Sequence, residues 1–202
     1  MSSTDVVIID SGGANLASLR FALDRLGAHS EVSADPAMVA AAPRVILPGV
    51  GAAADAMQRL QAAGLVDCIR ALRQPLLGVC LGMHLLFSHS EEGDTPCLGL
   101  LPGRVGKIPN TAGHPVPHMG WNTCLLRRAD ELLRGIQPGD HFYFVHSYAA
   151  PVSDYATASC QYSTTMSAVV QLGNFHGVQF HPERSSAAGA RVLKNFLALG
   201  DS

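Results

Sequence analysis

Cys80 stands in Gly78-Val79-Cys80-Leu81-Gly82, a small-x-nucleophile-x-small pattern typical of a strand that turns sharply into a helix with a reactive side chain at the apex. Such a turn crowds the residues two positions either way, so a Cβ at Gly78 or Gly82 would strike opposing backbone. Backbone N–H groups at a helix start favour the thiolate over the thiol, whose free pKa is about 8.5. The second group is Gln179-Phe180-His181-Pro182-Glu183. An imidazole takes the thiol proton and later returns it to a leaving group, while a carboxylate on the other ring nitrogen fixes the tautomer. Pro182 ends strand pairing and stiffens the link, so that His181 and Glu183 turn toward one site. The third group is Pro48-Gly49-Val50-Gly51. Acyl transfer needs donors aimed at the developing oxyanion; the N–H of Leu81 is one candidate, and a peptide N–H at Gly49 or Val50 is the other.

Taken singly, each group has a plainer explanation: a structural cysteine beside helix-packing glycines, a surface His-Pro-Glu turn, a tight βα turn. The elements around them favour the chemical reading. Val6-Val7-Ile8-Ile9 is apolar on both parities, as in a strand buried on both faces of a parallel sheet. It leads through Ser11-Gly12-Gly13-Ala14-Asn15, which lacks dinucleotide-binding G-x-G-x-x-G spacing, into an amphipathic helix with Leu16, Leu19, Phe21, Leu23 and Leu26, stopped by Gly27. Arg44–Leu47 and Leu76–Val79 open two more strand-turn-helix units, the last helix carrying Met83, Leu85, Leu86 and Phe87. Three such repeats predict an α/β fold: a mainly parallel sheet with helices on both faces, and ligands at the strand C-termini. From Pro96 to about Thr123 the texture suggests a meander or loops on the sheet edge. His141–Tyr148 and Phe175–Phe180 read as strands, and Ser185–Leu199 as a closing amphipathic helix.

A length of 202 residues suits one domain, 1–202. Lys+Arg 14 against Asp+Glu 16 leaves no electrostatic footprint for nucleic acid. The N-terminus shows no secretory signal, so a cytoplasmic location is expected. Residues 155–182 lack Asp, Glu, Lys and Arg, but polar side chains throughout exclude a membrane span. The five cysteines are never spaced C-x-x-C, so neither a disulfide framework nor a metal site is indicated.

The three motifs in this order, Pro48–Gly51, Gly78–Leu86 and Gly177–Ser186, resemble the class I (triad) glutamine amidotransferases over essentially the whole chain. Pro117–Asn122 and Tyr143–Tyr148 are similar to the branch of that family serving histidine biosynthesis. Relatives serving anthranilate, GMP or carbamoyl phosphate synthesis generally show Ser-Pro-Gly-Pro at Pro48–Gly51. The resemblance implies a flavodoxin-like, three-layer fold in which Cys80 attacks the amide carbon of L-glutamine, His181 protonates the departing ammonia and Glu183 orients His181. It implies oxyanion donors at Gly49, Val50 and Leu81, with Gly51 beside the substrate and no cofactor. It also implies a heterodimer with a (β/α)8-barrel cyclase that receives the ammonia and forms imidazole glycerol phosphate, with Asn15, His118, Trp121 and Tyr143 at or near the partner contact or ammonia path. One departure stands out: His84 occupies a position, four after the nucleophile, where the family usually has a substrate-contacting glutamine. One helical turn above Cys80, an imidazole there still reaches the pocket. Two rival readings are a stand-alone thiol hydrolase of similar fold and a catalytically silent α/β module; neither calls for the Pro117–Asn122 segment together with Cys80, His181 and Glu183.

Overall fold

The computed structural model describes residues 4–11 and 16–200. In chain order, β1 (Val6–Ile9), α1 (Leu16–Asp24), β2 (Ser30–Ser33), α2 (Pro36–Ala41), β3 (Val45–Leu47), α3 (Ala53–Ala62), α4 (Leu65–Ala71), β4 (Leu76–Val79) and α5 (Leu81–Leu86) form the first half. Then come β5 (Phe87–Ser90), β6 (Thr95–Pro96), β7 (Leu101–Lys107), β8 (His118–Thr123), β9 (Leu125–Leu126), β10 (His141–His146), β11 (Tyr148–Ala149), β12 (Ala156–Gln161), β13 (Thr165–Leu172), β14 (Phe175–Val178) and α6 (Ser186–Leu197).

The central sheet has eight strands in the order β2-β1-β3-β4-β14-β13-β12-β9. β2 through β14 run parallel, and β13, β12 and β9 extend the sheet antiparallel. The both-parity apolar strands divide their side chains between two layers, as their pleat requires. Val6, Ile8, Ile46, Leu77 and Val79 pack with Leu19 and Leu23 of α1 and with Val192, Leu193 and Phe196 of α6. Val7, Ile9, Val45, Leu47 and Leu76 pack on the other face with Val39, Leu60, Leu65 and Ile69. Each of these side chains contributes roughly 1.5–3 kcal/mol on burial, so both faces need their helices.

The sequence expectations meet three differences. Phe21 is 62% exposed, because the buried stripe of α1 is Leu19, Ala22 and Leu23. Phe87 starts a strand and does not end a helix; every α5 residue is buried, so apolar periodicity carries no signal for where that helix stops. The segment from Pro96, expected as a meander or loops on the sheet edge, belongs to sheets separate from the central one: β5, β6 and β7 join β11 in the order β11-β7-β5-β6, and β8 pairs with β10 as an antiparallel ribbon. No helix among the described residues is long and apolar enough to cross a membrane.

Candidate active site

β4 and β14 are parallel neighbours with Gly78 opposite Gly177 and Val79 opposite Val178. The two motifs therefore leave the sheet side by side at its C-terminal edge, and the Cys80 N–H donates to Val178 O at 2.8 Å. Cys80 itself has φ 53 and ψ −110, a backbone conformation rare for a side-chain-bearing residue and characteristic of strain held by its surroundings. The flanking glycines make that turn possible. A Cβ at Gly78 would lie 2.6 Å from Gly82 O, one at Gly82 would overlap Leu47 O, and one at Gly49 would come within 2.6 Å of Gly82 N. The Pro48–Gly51 turn is thus packed directly on the elbow.

His181 is held from several sides. Its Nδ1 lies 2.9 Å from Glu183 Oε1, and both side chains are buried. Its N–H donates to Tyr143 O at 2.9 Å, while Ser185 Oγ donates to His181 O at 2.7 Å and accepts from Tyr143 N–H at 2.9 Å. Gly189 lets α6 approach closely, since a Cβ there would overlap Pro182 O. With Nδ1 on Glu183, the other ring nitrogen is left for Cys80, which lines the same cavity as His181. Burial alone would lower the imidazole pKa; interaction with Glu183 and Cys80 outweighs it and raises the value to about 10.

A cavity of about 410 Å³ opens over this group. Cys80, His181, Gly49, Val50, Gly51, Leu81 and His84 all line it, so the elbow, the histidine motif and the glycine turn converge on one space. Glu183 stands behind His181. His84 is buried, and its Nε2 is 2.8 Å from Gln179 Oε1; desolvation outweighs that bond and lowers its pKa to about 4. At the other four cysteines burial disfavours the thiolate. Burial raises Cys68 and Cys124, and pushes Cys97 to about 11 and Cys160 to about 12. Among the described residues no group of three or more His, Cys, Asp and Glu is placed to hold a metal ion.

The residues expected near a partner separate by face. In the β8–β10 ribbon Trp121 is 53% and Met119 62% exposed. The Trp121 ring meets Tyr143 edge-on at 5.9 Å, and the Arg184 guanidinium lies 4.7 Å from the Tyr143 centroid. His118 faces inward and is 3% exposed; its Nδ1 lies 3.0 Å from His146 Nε2, and its ring stacks between Phe144 and Tyr162. It supports the ribbon from beneath. Asn15 lies outside the described residues.

Sequence reasoning passed over three residues. Glu92 lines the cavity and its Oε2 accepts from Ala53 N–H at 3.0 Å; an acid outside every motif carries no positional signal. Ser185 reads in the sequence only as the start of the closing helix. Gln179, inside the histidine motif, is fully buried with its Nε2 3.9 Å from Cys80 Sγ. A polar amide beside a predicted buried strand was the available clue.

Residues 7–199 match the family model described as glutamine amidotransferase class-I. The chain is 55% identical over 196 residues to a protein of Xanthomonas euvesicatoria pv. vesicatoria (strain 85-10) named imidazole glycerol phosphate synthase subunit HisH, covering 97% of this chain and 98% of that one. A protein of the same name from Xylella fastidiosa (strain Temecula1 / ATCC 700964) is 53% identical with the same coverage. Among solved structures, a crystal structure of a glutamine amidotransferase superposes with a TM-score of 0.74 at 20% identity, covering 95% of this chain and 96% of that one. PurLQS from Thermotoga maritima superposes with a TM-score of 0.68 at 18% identity and the same coverage. These likenesses show the fold: flavodoxin-like α/β, as expected.

Proposed function

Because the chain belongs to the class-I glutamine amidotransferase family, we propose that it is the glutaminase subunit of an imidazole glycerol phosphate synthase, releasing ammonia from L-glutamine for a cyclase partner. The observation that carries this reading is the convergence of Cys80 and the Glu183-held His181 on the wall of a cavity lined by the glycine turn.

The Cys80 sulfur, its proton held by His181, attacks the amide carbon of glutamine. N–H groups at Leu81 and at Gly49 or Val50 receive the oxyanion. His181 gives its proton to the amide nitrogen, the C–N bond breaks, and ammonia leaves a thioester on Cys80. Water then attacks the thioester, His181 takes a proton from it, and glutamate departs as the sulfur regains its first state. Glu183 holds the ring through Nδ1 so that the same nitrogen serves both steps. Gly51 and His84 border the substrate, and the Glu92 carboxylate is the acid on the cavity wall available to the α-ammonium. No cofactor enters these steps.

Partner contact is assigned to the exposed side of the β8–β10 ribbon, where Trp121 and Tyr143 supply aromatic anchors of the kind that dominate interfaces. Ammonia sheltered from water remains the unprotonated nucleophile, which favours direct transfer to the (β/α)8-barrel cyclase over release. Glutamate and ammonia release from glutamine, measured with and without the cyclase and its nucleotide acceptor, tests the assignment. A chain that hydrolyses glutamine no faster with the partner, and whose ammonia never reaches the cyclase product, is a stand-alone hydrolase.

A further inference from the structure

Gln179 joins two residues of the cavity. Its Oε1 lies 2.8 Å from His84 Nε2, and its Nε2 lies 3.9 Å from Cys80 Sγ. All three are buried and fixed by their backbones: Cys80 at the elbow, His84 one turn on with its N–H donating to Cys80 O at 3.2 Å, and Gln179 just past β14 with its N–H donating to Ala168 O at 2.8 Å. With the Gln179 amide in contact with both His84 and Cys80, its flip decides which of its atoms faces the sulfur.

That flip has chemical consequences. An amide carbonyl on His84 requires a hydrogen on Nε2, and burial keeps the ring neutral, with its pKa lowered to about 4. A neutral ring with Nε2–H donates to Gln179 Oε1 and turns the amide NH2 toward the sulfur. The opposite flip would set a carbonyl against sulfur, accepting from a thiol but repelling a thiolate. A second acceptor already serves the thiol form, since Cys80 Sγ lies 3.8 Å from Val145 O. We propose that His84 is a positioning residue that locks the Gln179 amide so that its N–H supports the Cys80 thiolate, an inference that rests on Cys80 being the nucleophile. The same N–H assists the sulfur when it leaves the thioester. The histidine at a position the family uses for substrate contact thus also works on the nucleophile.

The test uses the full chain and iodoacetamide at pH 7, with alkylation at Cys80 followed by mass spectrometry. Peptide mapping separates Cys80 from the other four cysteines, so the label reports residue 80. His84→Phe keeps the bulk and loses the donor, and Gln179→Leu loses the amide. Each should slow alkylation about tenfold, the scale of one hydrogen bond to a charged group. His84→Gln restores a donor and should return the rate to within about twofold. Adding His84→Phe to Gln179→Leu should cost nothing more, because the two act as one unit. In the complex with the cyclase, kcat should fall with the alkylation rate in His84→Phe and Gln179→Leu alike, whatever His84 adds to glutamine binding through KM. Undiminished alkylation in folded His84→Phe, or a raised KM alone, overturns the proposal and leaves His84 acting on substrate. If His84→Phe does not fold, His84→Asn, too short to reach Gln179, must show the same loss. Glutamate release from a Cys80→Ala complex would instead overturn the glutaminase reading beneath it.

Discussion

Removing the sulfur at residue 80 separates chemistry from assembly. Cys80→Ala should abolish glutamine hydrolysis while the complex still forms and its cyclase still uses added ammonia; residual glutaminase activity in the purified variant complex would move the nucleophile to another cysteine. Glu183 acts one atom further out. Glu183→Gln keeps the shape of the side chain but removes the carboxylate charge that faces His181 Nδ1, so the ring loses both its tautomer control and much of the support for its cationic form. The expected loss in kcat is roughly 10²- to 10⁴-fold, the range of positioned acid–base catalysis, with little change in KM. A KM effect alone would make Glu183 a packing residue.

Elements set the positions those atoms need. The turn from β4 into α5 fits only because Gly82 lies against Leu47 backbone, so Gly82→Ala forces backbone apart, and overpacking of this kind costs about 1–3 kcal/mol or more. Thermal unfolding should show a Tm lower by several degrees together with lost alkylation at Cys80; an unchanged Tm would mean that the strands separate at no cost. The β8–β10 ribbon carries a different sensitivity. Burial chiefly lowers His118 to about 4 and His146 to about 3, and His84 likewise to about 4, from a usual 6.5. The unfolded chain binds protons as pH falls through about 6.5 while the folded chain does not, so stability declines between about pH 6.5 and 4. His181, raised to about 10, has the opposite sign: its contribution is complete below about pH 6.5 and fades as pH climbs toward 10. Tm recorded from pH 4 to 10 should therefore form an arch, with a shallower acid limb in His118→Phe, which keeps the stack between Phe144 and Tyr162. An equally steep limb in that variant removes His118 from the effect.

At the scale of the whole molecule, the central sheet brings the nucleophile and its base together from positions a hundred residues apart, and the ribbon beside it leaves an aromatic face to solvent. Trp121→Ala and Tyr143→Ala should each weaken binding to the cyclase about tenfold to a hundredfold without lowering the Tm of the subunit, since neither side chain is buried in it. In the assembled enzyme Tyr143→Ala should also raise the ratio of glutamate formed to cyclase product, as ammonia escapes. Titration calorimetry and a paired product assay read the two effects. Unchanged affinity and a ratio of one would take the ribbon out of the interface.

The parallel core was legible in the chain because Val6–Ile9, Val45–Leu47 and Leu76–Val79 are apolar on both parities, and only a strand covered on both faces can bury such a run. The elbow glycines were legible because a tight turn excludes a Cβ wherever it occurs. Local rules of this kind need no knowledge of distant residues. They could not assign β2, whose Ser30-Glu31-Val32-Ser33 looks polar until it is placed at a sheet edge, nor the end of α5, where every residue is buried and periodicity vanishes. Glu92, Ser185 and Gln179 escaped for the same reason: a carboxylate, a hydroxyl and an amide acquire a role only through what lies opposite them. Tertiary structure decided that Glu92 borders the cavity, that Ser185 ties His181 to β10, and that Gln179 stands between His84 and the sulfur of Cys80, because each contact joins segments whose separation along the chain says nothing about their distance in space.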